Sequence, residues 1–340
     1  MPARNPTCSR GAARIQSIVM TFALAFVVIY GVITAGGLGA VSANLQSLPV
    51  FLNASATYNN ATGTADSYGI FNKITMFCWG LGYFGMPHIL LRFMAIRKSS
   101  ELNLSRRIAS VWVVFSLAIA VILGIVGRAM TQSGVLESLI EDPTSASKAE
   151  TLIVVIAQHI SENSFFFALI AGIVLAGILA STMSTADSQL IAASSSVSEN
   201  IIQETLGINL SERAAMLTAR ITLIAVAVFG VIIAWNPNSS VFNIVSFAWA
   251  GFGAVFGPAM IMSLYWKRAN KYGTIAGMLS GGIMVFVWKY LVRPMGGVWD
   301  LYELAPAFLV AIIMIVVVSL VTAAPDDEMV RKFEHVSKMS

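Results

Sequence analysis

Long apolar runs, each close to the length of a membrane-spanning helix, constrain this chain more than any other feature. The runs lie at about 15–37, 70–94, 108–130, 165–198, 214–234, 241–266, 274–292 and 304–322. A helix needs about 20 apolar residues to cross the hydrocarbon core of a bilayer. Because 57% of the residues are apolar and only 11% are charged, the chain does not have the composition of a soluble domain. The sequence predicts an all-α polytopic membrane protein with about eight transmembrane helices.

The ends of the chain are polar, and its first apolar run has two possible interpretations. Residues 1–14 predict a flexible tail, 36–69 a long polar loop and 323–340 a second tail. The run at 15–37 is compatible with a spanning helix, because it holds about 20 apolar residues. It is also compatible with a signal peptide, because a basic start precedes it and small residues follow at 41–43. Both interpretations stay open at this point.

The positions of the basic residues predict the orientation of the helices. With eight spans, 16 of the 21 Lys and Arg residues fall on the side that holds both termini. Since cytoplasmic loops carry the excess of Lys and Arg, both termini are expected in the cytoplasm and the chain in the plasma (inner) membrane. The net charge of +4 therefore reflects loop placement and predicts no nucleic-acid binding. Three scattered histidines and two distant cysteines predict no cofactor or metal cluster of the His or Cys type.

A group of hydroxyl side chains lies within the run at 165–198. On a helix, four of them fall on one face at spacings i, i+3, i+4 and i+7: Ser181, Ser184, Thr185 and Ser188. Lipid offers a hydroxyl no hydrogen-bonding partner, so this face needs protein or water around it. Hard oxygen ligands suit a small cation, but small hydroxyl residues also let two helices pack closely. The stripe alone leaves both explanations open.

Two other runs contain glycine and aromatic residues that disturb a regular helix. Residues 79–88 read WGLGYFGMPH, and three glycines and a proline there predict a broken helix. Broken helices at membrane depth are tolerated where they are buried in protein or line a wet cavity. Trp79 and Tyr83 are four residues apart and are predicted to share one face; the alternative is a simple proline kink. Residues 246–258, SFAWAGFGAVFGP, favour tight helix packing over a moving gate.

These motifs resemble the sodium:solute symporter family, and in particular its proline-transporting branch. The resemblance rests on residues 79–95, on residues 181–190 (STMSTADSQL) and on residues 245–258, in the family's order. It extends over about 15–320 and implies that the first run is a spanning helix. It also implies a partial LeuT-like inverted-repeat transporter fold that lacks about the first five helices of full-length members. A chain of this extent is not expected to transport alone.

The resemblance implies roles for individual residues. The side chains of Ser184 and Thr185 match the family's hydroxyl sodium ligands, and Ser181 matches a position that contributes its backbone carbonyl. A second group matches the proline-contacting residues: Trp79, Tyr83 and Pro87. Two further residues, Asp187 and Ser188, are possible accessory groups, and Asp187 is expected near the cytoplasmic end in contact with water. Met86 stands where a well-known member has Gln, so the chain departs from the family pattern at a position that concerns solute specificity.

The function implied is sodium-coupled symport of L-proline across the plasma membrane, with Na⁺ as the coupling ion and the lipid bilayer as surroundings. Alternatives are symport of another small solute, an inactive remnant, and a sensor, although no signalling domain is expected in the 19 residues after residue 321. An intramembrane protease is disfavoured: Asp187 is the one aspartate well inside a predicted span, and His88 is the one candidate base there. The chain is therefore not expected to be an enzyme.

Overall fold

The computed structural model describes most of the chain as helix. The described residues are 6–50, 53–59, 63–94, 96, 98, 100–137, 146–236 and 240–337. Within them the α-helices are α1 (Pro6–Thr34), α2 (Gly37–Ser47), α3 (Ile70–Cys78), α4 (Pro87–Met94), α5 (Ser100–Gln132), α6 (Ala146–Ala149), α7 (Leu152–Ser161), α8 (Phe165–Ser195), α9 (Glu212–Ala234), α10 (Val241–Tyr265), α11 (Lys271–Val287), α12 (Leu304–Val321) and α13 (Asp327–Ser337). Two short strands, β1 (Ala56–Asn59) and β2 (Thr64–Ser67), form a two-stranded sheet.

Short segments of other helical types extend or interrupt these helices. A 3₁₀ segment, Trp79–Phe84, separates α3 from α4. A π-helical segment, Ser196–Thr205, continues α8, and a second one, Trp288–Val292, continues α11. Two 3₁₀ turns, Arg293–Met295 and Gly297–Trp299, then lead to α12.

Six of the described helices are long and apolar enough to cross a membrane. They are α5, α8 with its π extension, α9, α10, α11 with its extension to Met295, and α12. A seventh crossing results if Val19–Thr34 and Gly37–Ser47 count as one broken span. The all-α polytopic membrane class predicted from the sequence is therefore confirmed. The crossing predicted for 70–94 stays a prediction, because there the described chain forms α3, the 3₁₀ segment and α4.

The structure adds secondary structure outside the predicted spans. The segment predicted as the first tail, 1–14, is helical from Pro6 onward, and the predicted tail 323–340 contains α13. The loop predicted for 36–69 contains α2 and the two strands. The helical direction changes by 82° between Thr34 and Gly37. Gly36 and Gly37 have φ values of 96° and 88°, which glycine adopts without steric cost, so the polar sequence marks a bend here and a second helix follows.

The contacts between helices divide the chain into two compact units. Unit 1 comprises Met1–Leu52, Tyr58–Ala65 and Arg97–Ser240. Its core lies between α1, α5, α7 and α8, where fully buried side chains include Val27, Met130, Ile156, Ile160 and Val174. Most large apolar side chains of α9 and of the first half of α5 are exposed, as is usual for helices that face lipid.

Unit 2 comprises Asn53–Thr57, Asp66–Ile96 and Val241–Ser340. Helices α11 and α12 pack closely because α11 carries glycine at every fourth position. A Cβ on Gly273 would overlap the side chain of Ser319, and one on Gly277 would overlap Ile315. A Cβ on Gly281 would lie 2.6 Å from the carbonyl oxygen of Ala254 in α10. Glycine at these positions therefore permits the close backbone approach that membrane helices use for packing.

Candidate functional site

The 3₁₀ segment is held against α10 by glycine contacts within unit 2. A Cβ on Gly82 would overlap the indole of Trp249, and one on Gly85 would overlap the carbonyl oxygen of Phe252. A Cβ on Gly253 would lie 2.8 Å from the Cα of Gly82. The glycines of both motifs thus permit one close contact between two backbones. The tight packing predicted for residues 246–258 is confirmed. Gly82 and Gly85 were predicted only to break the helix, and they also permit its close packing against α10.

Trp79, the first residue of the 3₁₀ segment, belongs to an aromatic stack. Its ring lies 5.2 Å from that of Phe242, 5.8 Å from Trp249 and 5.7 Å from Tyr302, with interplanar angles of 10–16°. The Nε1 of Trp249 also donates a hydrogen bond to the backbone carbonyl of Trp79, at 3.0 Å. The ring and the backbone of Trp79 are therefore both fixed by neighbours from α10 and from the start of α12.

Tyr83 lies at the far end of the same segment and is the more accessible of the two predicted aromatic residues. Its side chain is 51% exposed, and its ring meets Trp249 edge-on at 4.8 Å. Trp79 and Tyr83 were predicted to share one face of an α-helix, but both lie in a 3₁₀ segment with three residues per turn, so the α-helical spacing does not apply to them. Trp249 contacts both rings.

Pro87 is the first residue of α4, a position where its missing N–H and fixed φ are favourable. The residue before it, Met86, is buried at 7% exposure, and the carbonyl of Met86 accepts from the amides of Ile89 and Leu90. The proline therefore restarts the helix after the 3₁₀ segment. This is the helix break that the sequence predicted.

Tyr302 ties the aromatic stack to two other elements of unit 2. Its hydroxyl donates a hydrogen bond to the backbone carbonyl of Ser246 in α10, at 2.6 Å, and its backbone amide donates to Thr75 Oγ1 in α3, at 3.4 Å. The side chain is buried, with 6% exposure. Burial, together with the negative charge of Glu303, raises the pKa of the Tyr302 phenol above its usual value, so the hydroxyl keeps its proton.

Glu303, the next residue, is a buried carboxylate with basic partners. It is 1% exposed, and it accepts a hydrogen bond from Arg293 at 3.0 Å. Lys289 places its Nζ 4.0 Å from the same carboxylate and 3.7 Å from the ring centroid of Phe247 in α10. Arg293 also pairs with Asp300 at 2.8 Å. This network joins the segments that follow α11 to Glu303, the residue that precedes α12 and follows Tyr302.

The predicted hydroxyl ligands lie in α8 of unit 1. Thr185 Oγ1 donates to the backbone carbonyl of Ser181 at 3.4 Å, and Ser188 Oγ donates to the carbonyl of Thr185 at 2.8 Å. Ser181 and Ser188 are half-buried, whereas Thr185 and Asp187 are exposed. The side chain of Ser184 lies outside the described part. The helix therefore brings Ser181, Thr185 and Ser188 together along one face, as their spacing predicted.

Three aromatic residues of unit 2 were not singled out by the sequence: Phe242, Trp249 and Tyr302. Trp249 lies in the motif at 246–258, but the sequence interpretation assigned that motif to packing and named no partner. Tyr302 precedes α12 and carries no pattern of its own. Their contacts with Trp79 and Ser246 connect residues 56 to 223 positions apart in the chain, so only the tertiary structure brings them together.

Apolar helices of membrane length and a helix interrupted by a 3₁₀ segment define a polytopic α-helical membrane protein. The chain belongs to the sodium:solute symporter family, whose family model matches residues 12–281.

Several named transporters resemble the chain over most of its length. The high-affinity proline transporter PutP of Bacillus subtilis (strain 168) is 35% identical over 321 residues, which is 94% of this chain and 62% of that protein. Sodium/proline symporter 2 of Staphylococcus saprophyticus is 34% identical over 330 residues, 95% of this chain and 60% of that protein. The sodium/proline symporter of Staphylococcus aureus is 34% identical, with coverages of 91% and 57%. The chain thus spans about three fifths of the length of these curated relatives.

Proposed function

We propose that the chain carries the sodium- and solute-binding helices of a symporter that moves L-proline together with Na⁺ across the plasma (inner) membrane, with both termini in the cytoplasm. The observation that carries this proposal is the similarity, over 91–95% of the chain, to proteins whose names state proline transport. The excess of basic residues on the side of the termini supports the orientation.

The proposed sodium ligands are the carbonyl of Ser181 and the hydroxyls of Ser184 and Thr185. Thr185 Oγ1 and the Ser181 carbonyl oxygen are 3.4 Å apart. Two oxygen atoms that bind the same hard cation can lie this far apart when each is about 2.3–2.6 Å from the ion, which is the range of oxygen–Ca²⁺ distances. The Thr185 hydroxyl would then turn its proton away and present a lone pair to the ion. Asp187 and Ser188, in the next turn, add negative charge and a further oxygen near this position.

The proposed solute site lies around the 3₁₀ segment, where Trp79, Tyr83 and Pro87 follow one another. The exposed ring of Tyr83 offers an aromatic face to the ammonium and apolar ring of proline. The start of α4 at Pro87 carries the positive end of a helix dipole, which favours the carboxylate of the solute. Since three rings already stack on Trp79, its role is to shape this site together with Trp249.

Transport of this kind needs no covalent chemistry, in line with a family and relatives that are transporters. The energy comes from the sodium gradient and from the membrane potential, which supplies about 2.3 kcal/mol per charge per 100 mV. Sodium and proline are coupled only if both stabilise the same conformation of the protein. Sodium and proline therefore both have to bind one conformation of the protein more tightly than the other.

The experiment is uptake of labelled proline into proteoliposomes under an inward sodium gradient, with a potassium gradient as the control. Because the chain spans about three fifths of its relatives' length, we would test it alone and as a chimera in which it replaces the matching part of the Bacillus subtilis transporter. Sodium-dependent proline uptake by the chimera is expected. Uptake of a different small solute, or no uptake by a chimera that reaches the membrane, would contradict the proposal.

A further inference from the structure

Trp79 contacts aromatic side chains from two separate parts of unit 2, and one of these side chains, Tyr302, also binds α10. Phe242 and Trp249 come from α10, whereas Tyr302 precedes α12. The Tyr302 ring stacks on the indole of Trp79, and the Tyr302 hydroxyl binds the Ser246 carbonyl one turn before Trp249. One buried side chain thus contacts both the 3₁₀ segment and the turn of α10 that faces it.

The surroundings of Tyr302 fix its own position. Its backbone amide binds Thr75 in α3, the helix that leads into the 3₁₀ segment. The adjacent Glu303 is held by Arg293 and Lys289 from the end of α11. Burial and hydrogen bonds to its backbone amide and its hydroxyl hold Tyr302 in one rotamer. A ring held in this way restricts the motion of the ring stacked on it. Trp79 therefore has less freedom than a tryptophan in a loop.

We propose that Tyr302 is a positioning residue for Trp79, and that it sets the affinity for solute by fixing the indole through its ring and the facing turn of α10 through its hydroxyl. The solute part of this inference rests on the proposed function, whereas the positioning part does not. Tyr302 is not expected to touch either ligand. Its loss should weaken solute binding and leave the dependence on sodium unchanged.

The test uses the purified full chain in detergent and two variants, Tyr302→Leu and Tyr302→Phe. Hydroxyl-radical oxidation followed by mass spectrometry measures how accessible Trp79 is, and this readout needs no solute. Tyr302→Leu should raise the rate of Trp79 oxidation several-fold, whereas Tyr302→Phe, which keeps the ring, should restore most of the protection. Tyr272→Leu, at a 60% exposed tyrosine of α11, is the matched control and should leave Trp79 unchanged.

Binding of labelled proline in sodium, measured on the chimera with the Bacillus subtilis transporter and on the same Tyr302 variants of that chimera, gives the second readout. Tyr302→Leu should weaken binding by about 2- to 12-fold, the change that corresponds to one aromatic pair, with an unchanged half-saturating sodium concentration. If the chimera without a Tyr302 substitution binds no proline yet the oxidation result holds, the proposed function fails and the positioning role stands. Unchanged Trp79 oxidation in Tyr302→Leu would overturn the inference. If Tyr302→Leu does not fold, Tyr302→Phe decides, because it removes only the hydroxyl bond to the Ser246 carbonyl. A Trp79 oxidation rate equal to that of wild type would then overturn the inference, and a higher rate would support it.

Discussion

The indole Nε1 of Trp249 lies 3.0 Å from the backbone carbonyl of Trp79 and donates a hydrogen bond to it. This bond joins the middle of α10 to the residue where α3 changes into a 3₁₀ segment. A carbonyl oxygen has two lone pairs, so the Trp79 carbonyl can accept this bond from α10 in addition to a bond within its own segment. The contact ties the broken helix of unit 2 to α10, and it depends on glycine at position 82.

We expect Gly82→Ala to disturb this contact, because the added Cβ would overlap the Trp249 indole. Overpacking of this kind lowers the free energy of unfolding by about 1–3 kcal/mol. Thermal unfolding in detergent, followed by tryptophan fluorescence, measures the effect. Gly80→Ala is the matched control, since Gly80 lies in the same segment and the described residues place no atom within 4 Å of where its Cβ would be. Equal stability of the two variants would show that the close approach is not required.

We expect Thr185→Ala to raise the sodium concentration that half-saturates proline uptake by about tenfold or more, because an oxygen bound to a charged group contributes roughly 1.5–3 kcal/mol. Uptake by the chimera at varied sodium and fixed proline measures this shift. Thr182→Ala is the control, because the Thr182 hydroxyl binds the carbonyl of Ile178 and lies off the predicted ligand face. A Thr185→Ala variant with wild-type sodium dependence would rule out Thr185 as a ligand.

We expect Glu303→Gln to destabilise unit 2, because Arg293 and Lys289 would lose the buried carboxylate that they share. Glutamine keeps an oxygen that can accept from Arg293, so the variant loses the negative charge and not the bond itself. A bond to a charged group contributes about 1.5–3 kcal/mol and a neutral one about 0.5–1.5, so we expect the free energy of unfolding to fall by about 1 kcal/mol or more. Denaturant or thermal unfolding measures the loss. The comparison is Asp300→Asn, since the Asp300 side chain is 56% exposed and a surface pair contributes little. The prediction fails if both variants unfold alike.

The raised pKa of Tyr302 predicts a loss of stability at alkaline pH. Below about pH 10 the phenol is protonated in both folded and unfolded chains, so it has no effect on the pH dependence. Above that value the unfolded chain releases the proton first, and stability falls as the pH rises. Unfolding measured between pH 8 and about 11.5 should show this slope, and Tyr302→Phe should reduce it. Tyr272→Phe should retain it; an equal slope in both variants would contradict the prediction.

The sequence alone determined the class of protein, the positions of most long helices and the family. Apolar runs of membrane length are local features, and so are the hydroxyl spacing in α8 and the glycine–proline break before α4. Within a membrane such a run forms either a continuous helix or a helix whose break is protected by protein or water. Composition and spacing were therefore sufficient for these predictions.

The tertiary structure decided what surrounds Trp79 and why the glycines occur where they do. The sequence assigned Trp79 and Tyr83 to one α-helical face, but the structure places them in a 3₁₀ segment, where Trp249 contacts both rings. Tyr302 carried no sequence signal, because its partners lie 56 and 223 positions away along the chain. Side-chain periodicity describes one helix at a time, whereas a close contact between two backbones depends on how separate helices pack, and that packing had to be observed.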